Sequence, residues 1–556
     1  MDRTQVGFYM NRQIINLLIT VSLATSGMHQ VRADDYDHSE SGTGSEQERQ
    51  FLIAPLPAEP PLVPDLLRPP ASPIDQFLAA KWKEHDARSA REVDDLTFIR
   101  RACLDIAGVV PTLDAVDEYL SDRGNRRANI VDRLLDSARY ADHWTAFWGD
   151  LLLERTRING TVPFGFRDYI RTTLSDDKPY DQWVREMLAA DGTSVESPGA
   201  HYYLRHDGNA DELTIATTQV FLGTQMKCAQ CHDHPFEPWV KQAHFVGMRN
   251  FWNATRRRRA ETSEVESRNG TREIQLLEVL DRPKVKPNGE CFTGRTSQKG
   301  RGRDALADLV TRRDNPFFAR AAVNRIWAKL MGAGLVEPVD GFSASNPPSH
   351  PELLDWLAVE FVEHNYSLKH IIRVICNSQA YQRQSTGGRH GNAPSDLRLF
   401  EKMPLRRMTA EQLHDSILAA CGAWNLNDRS RWAPAIEKRY PANPNEFLAT
   451  FGTHDRASIH ERDTDLTIPQ ALELLNGDFL NAAIGWHGGN PIRDWADTGA
   501  SADVAIERLF YATLTRKPDR RERRIIAEYI SKNPGRDGWS DLLWTMINTR
   551  EFMFIP

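Results

Sequence analysis

Apolar side chains recur at intervals of three and four residues along most of this chain. Ile74, Phe77, Leu78 and Trp82 share one helical face, and Leu96, Ile99, Cys103 and Leu104 share another. The run 106–112 breaks the pattern, and Thr112 stands where it can cap a helix starting at Leu113. Further helices are predicted at 127–135, at 166–174 and at 180–190. A stretch between the first two of these carries Trp144 and Trp148 on one face, read as aromatic core. Residues 212–227 are apolar, Thr-rich and helical in phase. Strand-like alternation is almost absent, with 273–277 the main exception. The class is therefore mainly α.

The helical period lapses between 253 and 302, where charge and glycine rise. A chain of 556 residues also exceeds what one core usually serves. The expected architecture is two helical domains, 74–252 and 303–556, joined by a small irregular or β segment at 253–302. In that segment Arg256 to Arg259 form a basic run, read as a solvated loop. In the second domain Asn315 is placed as N-cap with Pro316 as first helical residue, and Gly332 ends the helix. Ser349 to Glu352 and Thr409 to Gln412 have the spacing of capping boxes, and Ser367 opens another helix.

The N-terminus changes the expected compartment. Arg3 and Arg12 precede or flank an apolar stretch at 14–24, and Val31-Arg32-Ala33 offers a small-residue cleavage site. Residues 1–33 read as a secretory signal, giving a periplasmic or otherwise exported protein. Residues 34–73 read as a disordered Pro-rich linker, or a strap laid over a surface. No later segment approaches the roughly 20 apolar residues of a membrane span. A net charge of -7 gives no global attraction to nucleic acid.

Candidate chemistry is concentrated in one motif. Of six cysteines, Cys103, Cys376 and Cys421 sit among apolar residues and read as buried. Cys228 and Cys231 form a close pair followed by His232, the Cys-x-x-Cys-His pattern of covalent haem attachment. Two thiols can join one porphyrin while His232 meets the iron as proximal ligand. On a helix ending near His232 all three would share a face. Met248 is the distal candidate, and Phe236, Trp239 and Phe245 are candidate pocket walls. A zinc or iron site is the alternative, with His234 or His244 as additional ligands. A local disulfide is a third reading. A second polar set, Arg320, Asn324, Arg325, Asn346, His350 and Glu352, reads as caps and loop-fixing hydrogen bonds, with His350 as a possible acid or base.

Long motifs add a resemblance. Residues 104–112, 131–135, 178–183 and 221–236, the last holding Cys228-Ala229-Gln230-Cys231-His232-Asp233-His234-Pro235, resemble the planctomycete cytochrome-like domain family. Residues 315–327, 334–340, 347–355, 469–472 and 548–554 resemble its companion, a planctomycete-specific domain of unknown function. The resemblance implies a cytochrome-like motif in the first domain and assigns no activity to the second. One Cys-x-x-Cys-His is present, which excludes a multi-haem wire within this chain. The expected function is an exported c-type haem protein in electron transfer or redox chemistry, acting with an exported redox partner. The alternative is a metal-bearing hydrolase or substrate-binding protein, for instance on polysaccharides, without haem.

Overall fold

The computed structural model describes residues 54–68, 71–154, 164–235, 237, 239–267, 270–281, 302–386, 397–423, 433–437, 447–452, 467–485 and 501–556. The signal expected at 1–33 lies outside them, as do Phe236 and Cys291. The fold is mainly α. Among the described residues no helix is long and apolar enough to cross a membrane.

Local signals set many of the helix ends. The Thr112 side chain accepts the N–H of Ala115 and starts the helix Leu113–Ser121. Ser367 caps Leu368–Cys376, and Thr409 and Gln412 form a reciprocal box on Ala410–Ala420. The helix after Asn315 begins two residues later than expected. Asn315 Oδ1 accepts the N–H groups of Phe317 and Phe318, while the helix itself runs Phe318–Met331 and ends at left-handed Gly332. The expected box at Ser349 does not form. His350 takes the N-cap position of Pro351–Glu363 without a side-chain bond, and Ser349 turns back to the carbonyl of Leu335.

The apolar faces meet in two cores. The larger one gathers residues from Leu56 to Met403 and so joins helices from both sides of the 253–302 segment. Trp144, Trp148, Trp183 and Trp327 lie within it, fully buried. Trp148 packs edge-on to Trp183, and Tyr180 stacks on Phe318 from beyond the segment. Removing one such indole would cost about 3–5 kcal/mol. The smaller core runs from Met408 to Ile555 and takes in Leu104 and Val110 from the first half. The packing boundary thus falls near residue 403, about a hundred residues after the break in helical period.

Within the 253–302 segment the described residues form an antiparallel strand pair. Strand Thr255–Ser267 pairs with Gly270–Asp281, which also pairs with Gly192–Thr193 on its other side. Arg256 to Arg259 are exposed, but they are strand residues opposite Leu280, Val279, Glu278 and Leu277 rather than a loop. They occupy an edge strand of the three-stranded sheet, where charge discourages pairing with another chain. The Pro-rich stretch behaves as a strap from Ala54 onward. Arg320 donates to the carbonyl of Ala54, and Gln76 accepts the N–H groups of Leu66 and Leu67.

Candidate functional site

The helix Ala210–Leu222 leads into the Cys-x-x-Cys-His loop. It stops five residues short of the apolar phase because Gly223 is left-handed, with φ 63°. A Cβ there would also sit 2.7 Å from the Phe342 ring. The chain then makes a single tight turn, Lys227–Gln230, in place of the helix expected to reach His232. Such a turn has three residues per revolution, so positions three apart eclipse. Met226 and Ala229 form its buried edge. Cys228 and Cys231 form the outer edge, both exposed and not joined to each other.

Neighbouring helices brace the loop. Asp211 accepts from Gln230 at 3.2 Å and forms an ion pair with Arg249 at 2.5 Å. Asp233 Oδ1 accepts the N–H of Gln242, the first residue of the helix Gln242–Arg249. Gln242 Nε2 returns a bond to the carbonyl of Cys231 at 2.9 Å. These contacts fix the main chain of the motif while its thiols and His232 stay at the surface.

The three nearby histidines differ in which ring nitrogen carries the proton. His232 Nδ1 lies 2.6 Å from the carbonyl oxygen of Asp233. A carbonyl can only accept, so Nδ1 must be the donor. In the neutral ring Nε2 then keeps its lone pair, the state a metal requires. His234 and His244 have the opposite assignment. His234 Nδ1 accepts the N–H of Glu237, and His244 Nδ1 accepts that of Lys241. In their neutral rings the proton therefore sits on Nε2. These two alternative ligands are committed to holding backbone. Cys228, Cys231, His232, His234 and His244 do not bring three donor atoms within 4.8 Å of one another.

Met248, the distal candidate, is 1% exposed and packed in the larger core, whereas both thiols are exposed. Its helix is amphipathic and turns Phe245 and Met248 inward together. Trp239 stacks on Phe317 across the two halves of the chain, with ring planes 5° apart. Phe245 and Trp239 therefore belong to packing.

Glu237 was not singled out from the sequence. It is buried and accepts from Trp239 Nε1 at 2.8 Å and from the N–H of Ala344 at 3.0 Å, with the hydroxyl of Ser345 also donating to it. A charged residue beside Pro-rich loop sequence looks solvated, so only the fold shows its role. It ties the motif's loop to the 343–346 turn of the second half.

The second polar set performs the loop-fixing expected of it. Asn324 accepts the N–H of Val336 at 3.0 Å and donates to its carbonyl at 2.9 Å. Arg320 pairs with Asp355 at 2.6 Å, and Arg325 donates to the carbonyl of Gln219. Asn346 holds the carbonyls of Glu337 and Gly341. Glu352 is exposed and apart from this lattice. His350 is buried, and that burial pushes its pKa down to about 3, so it is neutral across the ordinary pH range.

Two family models match the chain. Residues 73–257 match PSCyt2, described as a protein of unknown function (DUF1549), and residues 302–530 match PSD1, described as a protein of unknown function (DUF1553). No curated protein and no solved structure matches the chain.

Proposed function

We propose that Cys228, Cys231 and His232 form a surface attachment site for a c-type haem, in an exported protein of electron transfer or redox chemistry. The observation that carries this reading is the bond from His232 Nδ1 to the Asp233 carbonyl, which leaves Nε2 as a ligand atom beside two exposed thiols. Each thiol would add across one vinyl group: sulfur bonds one carbon and the hydrogen ends on the other, so no oxidant is consumed. When bound, the haem supplies one-electron chemistry. Asp233 does two things for the site. Its carbonyl orients the imidazole, and its carboxylate anchors the helix that follows. Because all three groups lie at the surface, a redox partner reaches them without opening the fold.

The alternative, a haem-free Cys/His metal centre in a hydrolase or substrate-binding protein, requires His234 or His244 to give up a backbone bond. The experiment that separates the two is direct. The chain is produced with the cytochrome c maturation machinery, denatured and weighed. A haem-sized increment that disappears in Cys228→Ala/Cys231→Ala is expected. An unmodified mass, with stoichiometric zinc or iron lost in the same variant, would transfer the site to the metal reading.

A further inference from the structure

A second group of ligand-type side chains lies away from the Cys-rich loop, where the helix Pro351–Glu363 hands over to Leu368–Cys376. Glu360 and His364 are four residues apart and so lie on one face. His370 comes from the first turn of the next helix, where its N–H is held by the Ser367 hydroxyl at 3.0 Å. The His364 and His370 rings stack, with centroids 3.7 Å apart and planes 10° apart. Glu360 Oε1 is 2.8 Å from His370 Nε2 and 3.3 Å from His364 Nδ1. All three donor atoms lie within 4.8 Å of one another.

These spacings suit a small cation. Donors at about 2.0–2.1 Å from tetrahedral zinc lie about 3.3 Å from one another. The two Glu360 contacts need tenths of an ångström of adjustment, and the exposed His364 ring must swing out of its stack, because two near-parallel rings cannot both aim an in-plane lone pair at one ion. The cation would replace the protons now shared between Glu360 Oε1 and His370, and between His364 Nδ1 and the Glu360 carbonyl 2.9 Å away. Nearby positive charge is already directed elsewhere: Arg373 pairs with Asp132 at 2.6 Å, and Lys369 faces Asp136 at 3.8 Å.

The group is also held in place. Asn365 and Tyr366, between the two helices, are both left-handed, with φ 56° and 53°. The first half of the chain clamps this turn. Tyr180 donates its N–H to the Tyr366 carbonyl at 3.1 Å, and Asp177 accepts from the Ser367 hydroxyl at 2.5 Å. The turn thereby holds Glu360 and His370 together before any ligand arrives, with the more exposed His364 side chain one rotation away.

We infer that Glu360, His364 and His370 bind a divalent cation of the zinc class through two imidazoles and one carboxylate, with the remaining coordination position open to water. Two histidines and one carboxylate with an open position is a donor set of catalytic metal sites. The His364 side chain is 47% exposed, so solvent reaches the site.

The test uses the full chain carrying Cys228→Ala and Cys231→Ala, which removes the thiols as competing ligands. After chelation it is titrated with Zn2+ in a calorimeter. One zinc per chain is expected. His364→Ala and His370→Ala should each weaken binding at least about 100-fold, since outer-shell partners alone are worth about 10–100-fold. Co2+ bound there should show ligand-field bands without thiolate charge transfer. No zinc on the folded double variant, or zinc binding unchanged by His364→Ala and His370→Ala, would overturn the inference and leave a hydrogen-bonded cluster. Circular dichroism checks folding, and if the more enclosed His370→Ala does not fold, the zinc affinity of His364→Ala decides.

Discussion

The Cys228–His232 loop and the polar lattice around Asn324 look alike as sequence. Each gathers side chains that bind, donate or accept, and each contains a histidine. The fold treats them in opposite ways. In the lattice the polar groups are spent inside the fold: Asn324 holds Val336 at both ends, Asn346 holds two carbonyls, and Arg320 is neutralised by Asp355. In the loop the main chain is held by neighbours, and the reactive atoms are left at the surface. What separates architecture from candidate chemistry is therefore where the hydrogen bonds end, and residue type alone does not reveal it.

That contrast can be broken by substitution. The largest effect is expected at Arg320, which is 1% exposed. Arg320→Ala leaves Asp355 a buried, uncompensated carboxylate and should cost about 3–5 kcal/mol in denaturant unfolding. A loss under about 1 kcal/mol would mean the lattice is not structural.

Acid should come next. His201, His206 and His350 have pKa values pushed down by burial to about 3, 4 and 3. Each ring is neutral when folded and takes up a proton when unfolded. Their depressed folded values mean that stability is full above the ordinary histidine value near 6.5 and is lost as pH falls from there toward 3–4. Each contributes a slope of about 1.4 kcal/mol per pH unit in that window. His350→Phe should remove one such increment between pH 6 and 4, measured by denaturation at several pH values. An unchanged slope would show that His350 is not held neutral.

The smallest effect should be at the loop. Cys228→Ala/Cys231→Ala should shift stability of the haem-free chain by no more than about 0.5 kcal/mol, because both side chains are exposed. A larger loss would move the thiols to the architectural side of the comparison.

Much of the fold was legible because it is written locally. Thr112, Ser367 and Thr409 cap helices from within the same few residues, and Gly332 ends one by its own backbone freedom. Signals that depend on distant partners were not legible. Ser349 has the spacing of a cap but bonds Leu335. Arg256 to Arg259 look like a loop because one strand's alternation is hidden under charge, and only the partner strand reveals the pairing. At the candidate site the donors were readable from the motif itself. The tautomers were not, because they depend on which backbone group each ring meets. The Glu360, His364 and His370 cluster had half a signal, the four-residue spacing of its first two members. Its third member arrives through a left-handed turn that no periodicity announces.

The shared larger core also sets an order of events during synthesis. Trp82 donates to the carbonyl of Leu399, Arg101 to that of Arg383, and Tyr381 to Asp105, pairs separated by 317, 282 and 276 positions. At roughly 5–20 residues per second, a ribosome delivers the later partners about 15–60 s after the earlier ones. Throughout that interval the first-half helices can pack on one another, as Trp148 does on Trp183, but lack the later residues that complete the larger core. If the proposed export holds, a chain whose larger core closes only with its last partners would still be loose enough to thread a translocation channel while it is being made.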